Sequence, residues 1–180
     1  MTKKDKIVEI MTYIIVPTAI LVISPLVAKL CDTYFLKQNY IITTNVYFLI
    51  AGIFIGLCGL SLILYTIFLF KKFGKGTPNP TLPPKEFVIK GPYKFVRNLM
   101  ALGGTIVLLG ESIVYYSISL FIITALYTII LYFNAKFIEE PELIIRFGKS
   151  YEEYLKNVPR FFPFKILKKR TKKSFITTIY

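Results

Sequence analysis

Three apolar runs divide the chain: Ile10 to Leu30, Val46 to Phe70 and Leu99 to Ile138. As helices the first two would reach about 31 and about 38 Å, enough for a hydrocarbon core of about 30 Å. A single helix over the third would be about 60 Å long, twice the core thickness. Polar breaks at Gly110-Glu111-Ser112 and at Ser117 and Ser119 predict instead a hairpin turning between Val114 and Ser119. The pattern thus predicts an all-α integral membrane protein with about four transmembrane helices. A secretory leader would have a shorter apolar core and a small-residue cleavage site, and neither is evident. Pro17 and Pro25 are expected to bend the first helix, and Gly52, Gly56 and Gly59 in the second mark a face that a neighbouring helix can approach closely. The Gly52-x-x-x-Gly56 spacing fits a small-residue packing interface, and ordinary glycine in a membrane helix would explain it equally well.

The segments between the runs differ in kind. Cys31 to Asn45 reads as a polar connection. Residues 71–98 begin with KKFGKGTPNPTLPPKEFVIK, whose four prolines and two glycines predict an extended cytoplasmic loop. After the hairpin, Pro141 suits the first turn of a new helix. Leu143, Ile144, Phe147, Tyr151, Tyr154, Leu155 and Val158 recur at spacings of three and four. Residues 139–164 are therefore expected to form an amphipathic segment against the bundle or the interface, interrupted near Gly148, with a basic tail at 165–180. The whole chain is expected to be one domain.

Charge sets the topology. Lys and Arg number three in the first nine residues, seven from Lys71 to Arg97 and eleven from Lys136 onward, whereas Cys31 to Asn45 holds only Lys37. Four spans put all three basic regions, and both termini, in the cytoplasm of a cell-membrane protein. The net charge of +13 then has a topological explanation, and without a nucleic-acid module nucleic acid is not an expected partner. A hydrophobic content of 54% exceeds the roughly 45 to 50% of soluble domains. The chain has no histidine, and its two cysteines, Cys31 and Cys58, stand far apart without metal-ligand spacing. This excludes His-ligated metals and Ser-His or Cys-His nucleophile pairs, and both cysteines read as packing residues. No metal site is expected.

The candidate chemistry gathers at Gly91 to Gly103, GPYKFVRNLMALG, and at the exit of the last span. Tyr93 brings an aromatic face with a polar tip, and Arg97 and Asn98 offer donors and acceptors where helix meets water. Glu139 and Glu140 are adjacent carboxylates at a membrane exit, costly unless paired or facing water, and Arg97, Arg146 and Arg160 are candidate partners. A solvated helix start favoured by the dipole would explain the two acids equally well.

The order Gly76-Thr77-Pro78, Pro83-Pro84, Gly91-Pro92-Tyr93, Val96-Arg97-Asn98, Glu139-Glu140-Pro141, Leu143, Arg146-Phe147-Gly148, Tyr151, Tyr154, Val158-Pro159-Arg160 resembles the isoprenylcysteine carboxyl methyltransferase family, itself related to membrane phospholipid methyltransferases. The resemblance covers roughly residues 74 to 163. It implies a membrane helical bundle that binds S-adenosylmethionine in a pocket closed by the carboxy-terminal segment. The family's cofactor-binding residues map onto Tyr93, Arg97, Asn98, Glu139 and Glu140, with Tyr151 beside them. The implied activity is methyl transfer to a prenylcysteine-like carboxylate or another lipophilic acceptor. An amine acceptor would need a base such as Glu139 or Glu140, and Arg146 or Arg160 would hold an anionic one. Where the family usually has Arg-Asn-Pro-Met-Tyr or Arg-His-Pro-x-Tyr, this chain reads Arg97-Asn98-Leu99-Met100-Ala101, lacking the proline and the tyrosine. The rival readings are a non-catalytic membrane protein on the same frame and an NADPH-dependent reductase of the sterol-reductase type. Glu111 is an acid inside an apolar run, read as lying near the far interface. Lys165 to Lys173, six basic residues in nine, is expected either only to enforce topology or also to meet an anionic leaflet, which makes membrane lipids a further candidate partner.

Overall fold

The computed structural model describes Ile15 and residues 18–38, 41–74 and 87–161, and these form helices joined by turns, with no strand among the described residues. The expected loop segment 75–86 and the basic tail lie outside the described residues, as does Pro17. A π-helical turn, Ala19–Ile23, runs into α1 (Ser24–Tyr34). α2 (Val46–Phe73) is followed by a 3₁₀ turn at Gly91–Lys94, then α3 (Leu99–Val114) and α4 (Ile118–Asn134). A second π turn, Ala135–Glu139, leads into α5 (Glu140–Phe147), and α6 (Lys149–Asn157) follows.

Among the described residues two helices are long and apolar enough to cross a membrane, α2 and the continuous helix Ile118–Phe147, and α3 is a shorter apolar helix. The apolar part of the second ends at Ile138, about 31 Å from Ile118. The 16 residues of α3 reach about 24 Å, short of a full core. The hairpin turns at Tyr115 to Ser117, within the expected interval. Helix continues past Leu30 to Tyr34, so the start of the expected polar connection is helical. The reason is Asp32, only 1% exposed, which accepts from the Ser117 hydroxyl at 2.5 Å and from the Ser119 N–H at 3.1 Å. Ser117 in turn caps α4 by accepting from the Leu120 N–H at 3.0 Å. A carboxylate at a helix N-terminus satisfies orphan donors and favours the dipole, so it draws α1 on beneath the hairpin.

Glycine decides how α2 and α3 pack, through Gly52 and Gly59 of the expected face but not through Gly56. A Cβ on Gly52 would lie 2.8 Å from the Gly110 carbonyl, and one on Gly59 would lie 2.7 Å from the Gly103 carbonyl and the Val107 nitrogen. Gly56, by contrast, has nothing within 4 Å of such a Cβ. The interface is therefore built on residues seven apart, Gly52 and Gly59 against Gly110 and Gly103. That spacing keeps one seam facing the partner in a left-handed crossing, where a four-residue step would turn Gly56 off it. Thr66, seven residues further, is fully buried. Cys58 is exposed, so it is not the packing residue expected, and Cys31 is half-buried.

Candidate functional site

The site lies at the end of the bundle opposite the hairpin. Gly91 has φ +57°, a left-handed backbone that favours glycine, and a Cβ there would also lie 3.0 Å from the Tyr65 hydroxyl. Pro92 then sets the 3₁₀ turn that carries Tyr93 inward. Tyr93 is buried against Phe70, ring centroids 5.5 Å apart, within a core of Leu69, Val88, Val96 and Leu99. Asn98 caps α3 by accepting from the Ala101 N–H at 3.4 Å. This fixes the start of the helix where the related pattern has proline. Leu99 and Ala101 are buried, so the two departures fill apolar packing.

The carboxy-terminal segment is tied to this stretch through the backbone. Arg97 N–H donates to the Pro159 carbonyl and Asn98 N–H to the Arg160 carbonyl, both at 3.0 Å. The Tyr154 hydroxyl donates to the Tyr93 carbonyl at 2.5 Å. Beneath these ties Tyr151, Tyr154 and Val158 form an apolar cluster with Phe87, Ile89 and Leu143. Phe87 meets the edges of Tyr151 and Tyr154 at 5.3 and 5.1 Å. Gly148, at φ +56°, makes the break between α5 and α6 that brings this cluster back onto the bundle.

These ties deliver Arg160 to Glu140. Arg160 Nε and one terminal nitrogen donate to the two Glu140 oxygens at 2.6 and 2.8 Å, a bidentate fork. Arg97 Nη1 lies 3.1 Å from the same carboxylate, close enough for an ion pair. The Arg160 guanidinium also sits 4.7 Å over the Tyr132 ring, and its hydrogen bond to Glu140 raises its already high pKa. Burial works to raise the Glu140 carboxyl, but Arg160 and Arg97 outweigh it and hold the group below its ordinary range. Glu139 differs: burial raises it, moderated by Asn134, whose side chain donates to it at 2.7 Å. Two adjacent acids are thereby given different electrostatic characters. Burial likewise pushes the Tyr93 and Tyr151 hydroxyls up.

The structure thus gathers Tyr93, Arg97, Asn98, Glu140, Tyr151 and Arg160 around one short stretch, with Glu139 next to them. Arg146 pairs with Glu142 at 3.6 Å, one turn away on α5, and lies 5.2 Å over the Phe147 ring. Glu111 is near the far end of α3, about 18 Å along the helix from Leu99, with Oε2 buried and without a hydrogen-bond partner among the described residues. Sequence reasoning did not single out Asn134 or Tyr132, although each is a polar-tipped side chain at the exit of an apolar span. Arg97 carries the feature most relevant to a ligand. Its Nε and Nη1 are buried and lack a hydrogen-bond partner among the described residues, Nη1 meeting Glu140 by charge without hydrogen-bond alignment. Buried donors of a charged group are costly when unmet, and a ligand carboxylate fits them. No group of three or more His, Cys, Asp or Glu among the described residues is placed to hold a metal.

A family model described as phospholipid methyltransferase matches residues 46–150, more than half of the chain, and the protein belongs to that family, which includes the isoprenylcysteine carboxyl methyltransferases. The match takes in Tyr93, Arg97, Asn98, Glu139 and Glu140 and ends just before Tyr151 and Arg160. No curated protein and no solved structure matches the chain.

Proposed function

We propose that this membrane methyltransferase-family protein uses S-adenosylmethionine to methylate a lipophilic acceptor at the cytoplasmic face, with a prenylcysteine-like carboxylate as the favoured acceptor. The observation that carries the reading is the Arg97–Glu140–Arg160 cluster, with the buried Arg97 Nε unmet among the described residues at the end of an apolar bundle. When bound, S-adenosylmethionine supplies a methyl group on a positively charged sulfur. Arg97 Nε would meet its carboxylate, Glu139 would be available to its ammonium, and Tyr93 and Tyr151 would flank it. Glu140, held by Arg97 and Arg160, fixes where that donor points.

Alignment of nucleophile and methyl group is the main demand of such a displacement, and positioning supplies about 7 to 11 kcal/mol. The apolar cluster of Phe87, Tyr151 and Tyr154 keeps water from the reacting centre. A carboxylate acceptor is already nucleophilic at neutral pH and needs no base, which suits a site whose Glu140 is fully engaged by arginine. Arg160 or Arg146 would hold the acceptor's negative charge. The topology that goes with this reading has four spans with both termini cytoplasmic, supported by the distribution of Lys and Arg.

The test is calorimetric titration of the purified protein with S-adenosylhomocysteine and with NADPH. Binding of the first alone is expected; binding of NADPH alone would favour a reductase, and binding of neither a non-catalytic protein. Transfer from methyl-labelled S-adenosylmethionine into membrane extracts, read by mass spectrometry, then identifies the acceptor.

A further inference from the structure

The outward face of α2 carries a shallow groove lined by Phe54, Leu57, Cys58, Ser61, Leu62 and Tyr65. The small Cys58 and Ser61 form its floor, and Ser61 turns its hydroxyl back to the Leu57 carbonyl at 2.8 Å, leaving the trough apolar. From residue 54 to 65 it runs about 17 Å, close to the depth of one leaflet of a core of about 30 Å. The same helical stripe continues to an aromatic and then a cationic end. Tyr65 stacks on Phe68 at 6.3 Å, and the Lys72 ammonium lies 5.3 Å over the Phe68 ring. Lys72 and Lys90 also both face the Phe73 ring, at 5.4 and 4.1 Å from its centroid, which gathers two ammonium groups around one ring at this end of the stripe. Both are exposed, and neither has an ion pair among the described residues.

We propose that this stripe is a binding site for one anionic membrane phospholipid, with an acyl chain along the Phe54–Tyr65 trough and the phosphate against Lys72 and Lys90. Positive charge without a counter-ion among the described residues, at the end of a leaflet-deep apolar trough, has the shape and polarity of such a lipid. A zwitterionic choline lipid would bring a third ammonium to the pair. A second copy of the chain is a poorer occupant: copies inserted with the same topology and related by a two-fold axis along the membrane normal would set Lys72 against Lys72. The proposal requires α2 to lie in the membrane but does not depend on methyl transfer.

The experiment is native mass spectrometry of the full chain released from micelles holding equal amounts of phosphatidylglycerol and phosphatidylcholine with matched acyl chains. One retained phosphatidylglycerol is expected. The surface double variant Lys72→Gln/Lys90→Gln should weaken its retention about 30-fold, the effect of removing two charges near an anionic headgroup. Ser61→Trp, which fills the trough, should abolish it. Soluble glycerophosphoglycerol should not displace the lipid, since it lacks the chain. Equal retention of the two lipids, undiminished phosphatidylglycerol in the lysine double variant, displacement by the soluble headgroup, or a second chain in place of lipid would each overturn the proposal.

Discussion

Glu140→Gln removes the charge that holds the site together while keeping the side-chain shape. In the parent, Glu140 receives two Arg160 nitrogens at 2.6 and 2.8 Å and faces Arg97 at 3.1 Å, and the three side chains are only 12, 16 and 11% exposed. Breaking a buried pair by removing one partner costs about 3 to 5 kcal/mol, because the remaining charge is left uncompensated. Here two guanidiniums would be left facing each other, and the residual exposure places the expected loss at the lower end, about 3 kcal/mol. Cofactor affinity should fall as well, since the Arg97 donors lose their anchor. Thermal unfolding in detergent and titration with S-adenosylhomocysteine read the two effects separately. Arg160→Gln should cost less, since Arg97 still faces the carboxylate, and the Glu140→Gln/Arg160→Gln cycle should show a coupling of about 2 kcal/mol. Because Glu140 is held below its ordinary value of 4.5, its contribution is complete above that pH and is lost as pH falls through the lower folded-state value. The Gln variant should lack this acid-side loss. Additive single effects, or a Glu140→Gln protein as stable and as tight-binding as the parent, would refute the reasoning.

Gly59→Ala should destabilise the bundle by about 1 to 3 kcal/mol, because its Cβ meets backbone atoms of α3; Gly56→Ala, with open space, should leave the melting midpoint unchanged. Asp32→Ala strands the Ser119 N–H and the Ser117 hydroxyl in a buried place and should cost about 1 to 3 kcal/mol. Its S-adenosylhomocysteine affinity should remain that of the parent, because Asp32 lies at the far end of the bundle. Tyr154→Phe removes the hydroxyl that ties the carboxy-terminal segment to the Tyr93 carbonyl. Proteolysis within residues 149–160 should be faster, with a loss of about 1 to 3 kcal/mol for the stranded carbonyl.

What was legible in the sequence followed from patterns carried by single elements. The long apolar runs, the hairpin turn and the break at Gly148 depend on local composition, and the structure has α2, the Tyr115–Ser117 turn and a positive-φ Gly148 accordingly. The pairing of Glu140 with Arg97 and Arg160 was legible only as a set of candidates, because the choice among arginines is made by tertiary ties. Two backbone hydrogen bonds from residues 97 and 98 to residues 159 and 160 select Arg160, and no side-chain pattern encodes them. Asp32 was illegible for the same reason: an acid two residues past an apolar run reads as solvated, and its partners lie 85 and 87 residues away. The glycine face was legible as Gly52, Gly56 and Gly59, but which two of the three meet α3 was not, because that choice depends on how the partner helix crosses.

Adjacent carboxylates one residue before a proline posed the hardest question, and the backbone answers it. Pro141 has no N–H for the Phe137 carbonyl, and its ring crowds that carbonyl in an α-helix. The chain widens instead into the π turn Ala135–Glu139, in which the Glu140 N–H bonds to the Ala135 carbonyl five residues back. In a π turn, residues five apart stack above one another, which is what lets Asn134 reach Glu139 at 2.7 Å. The widened turn then carries Glu140 round to the two arginines. The same sequence of events occurs at Pro25, where the π turn Ala19–Ile23 closes with the Ser24 N–H on the Ala19 carbonyl. There no carboxylate precedes the proline, and the turn runs straight on into α1. The proline is thus a positioning element: it separates Glu139 from Glu140 by changing the helix, and the different electrostatic characters of the two acids follow from that separation.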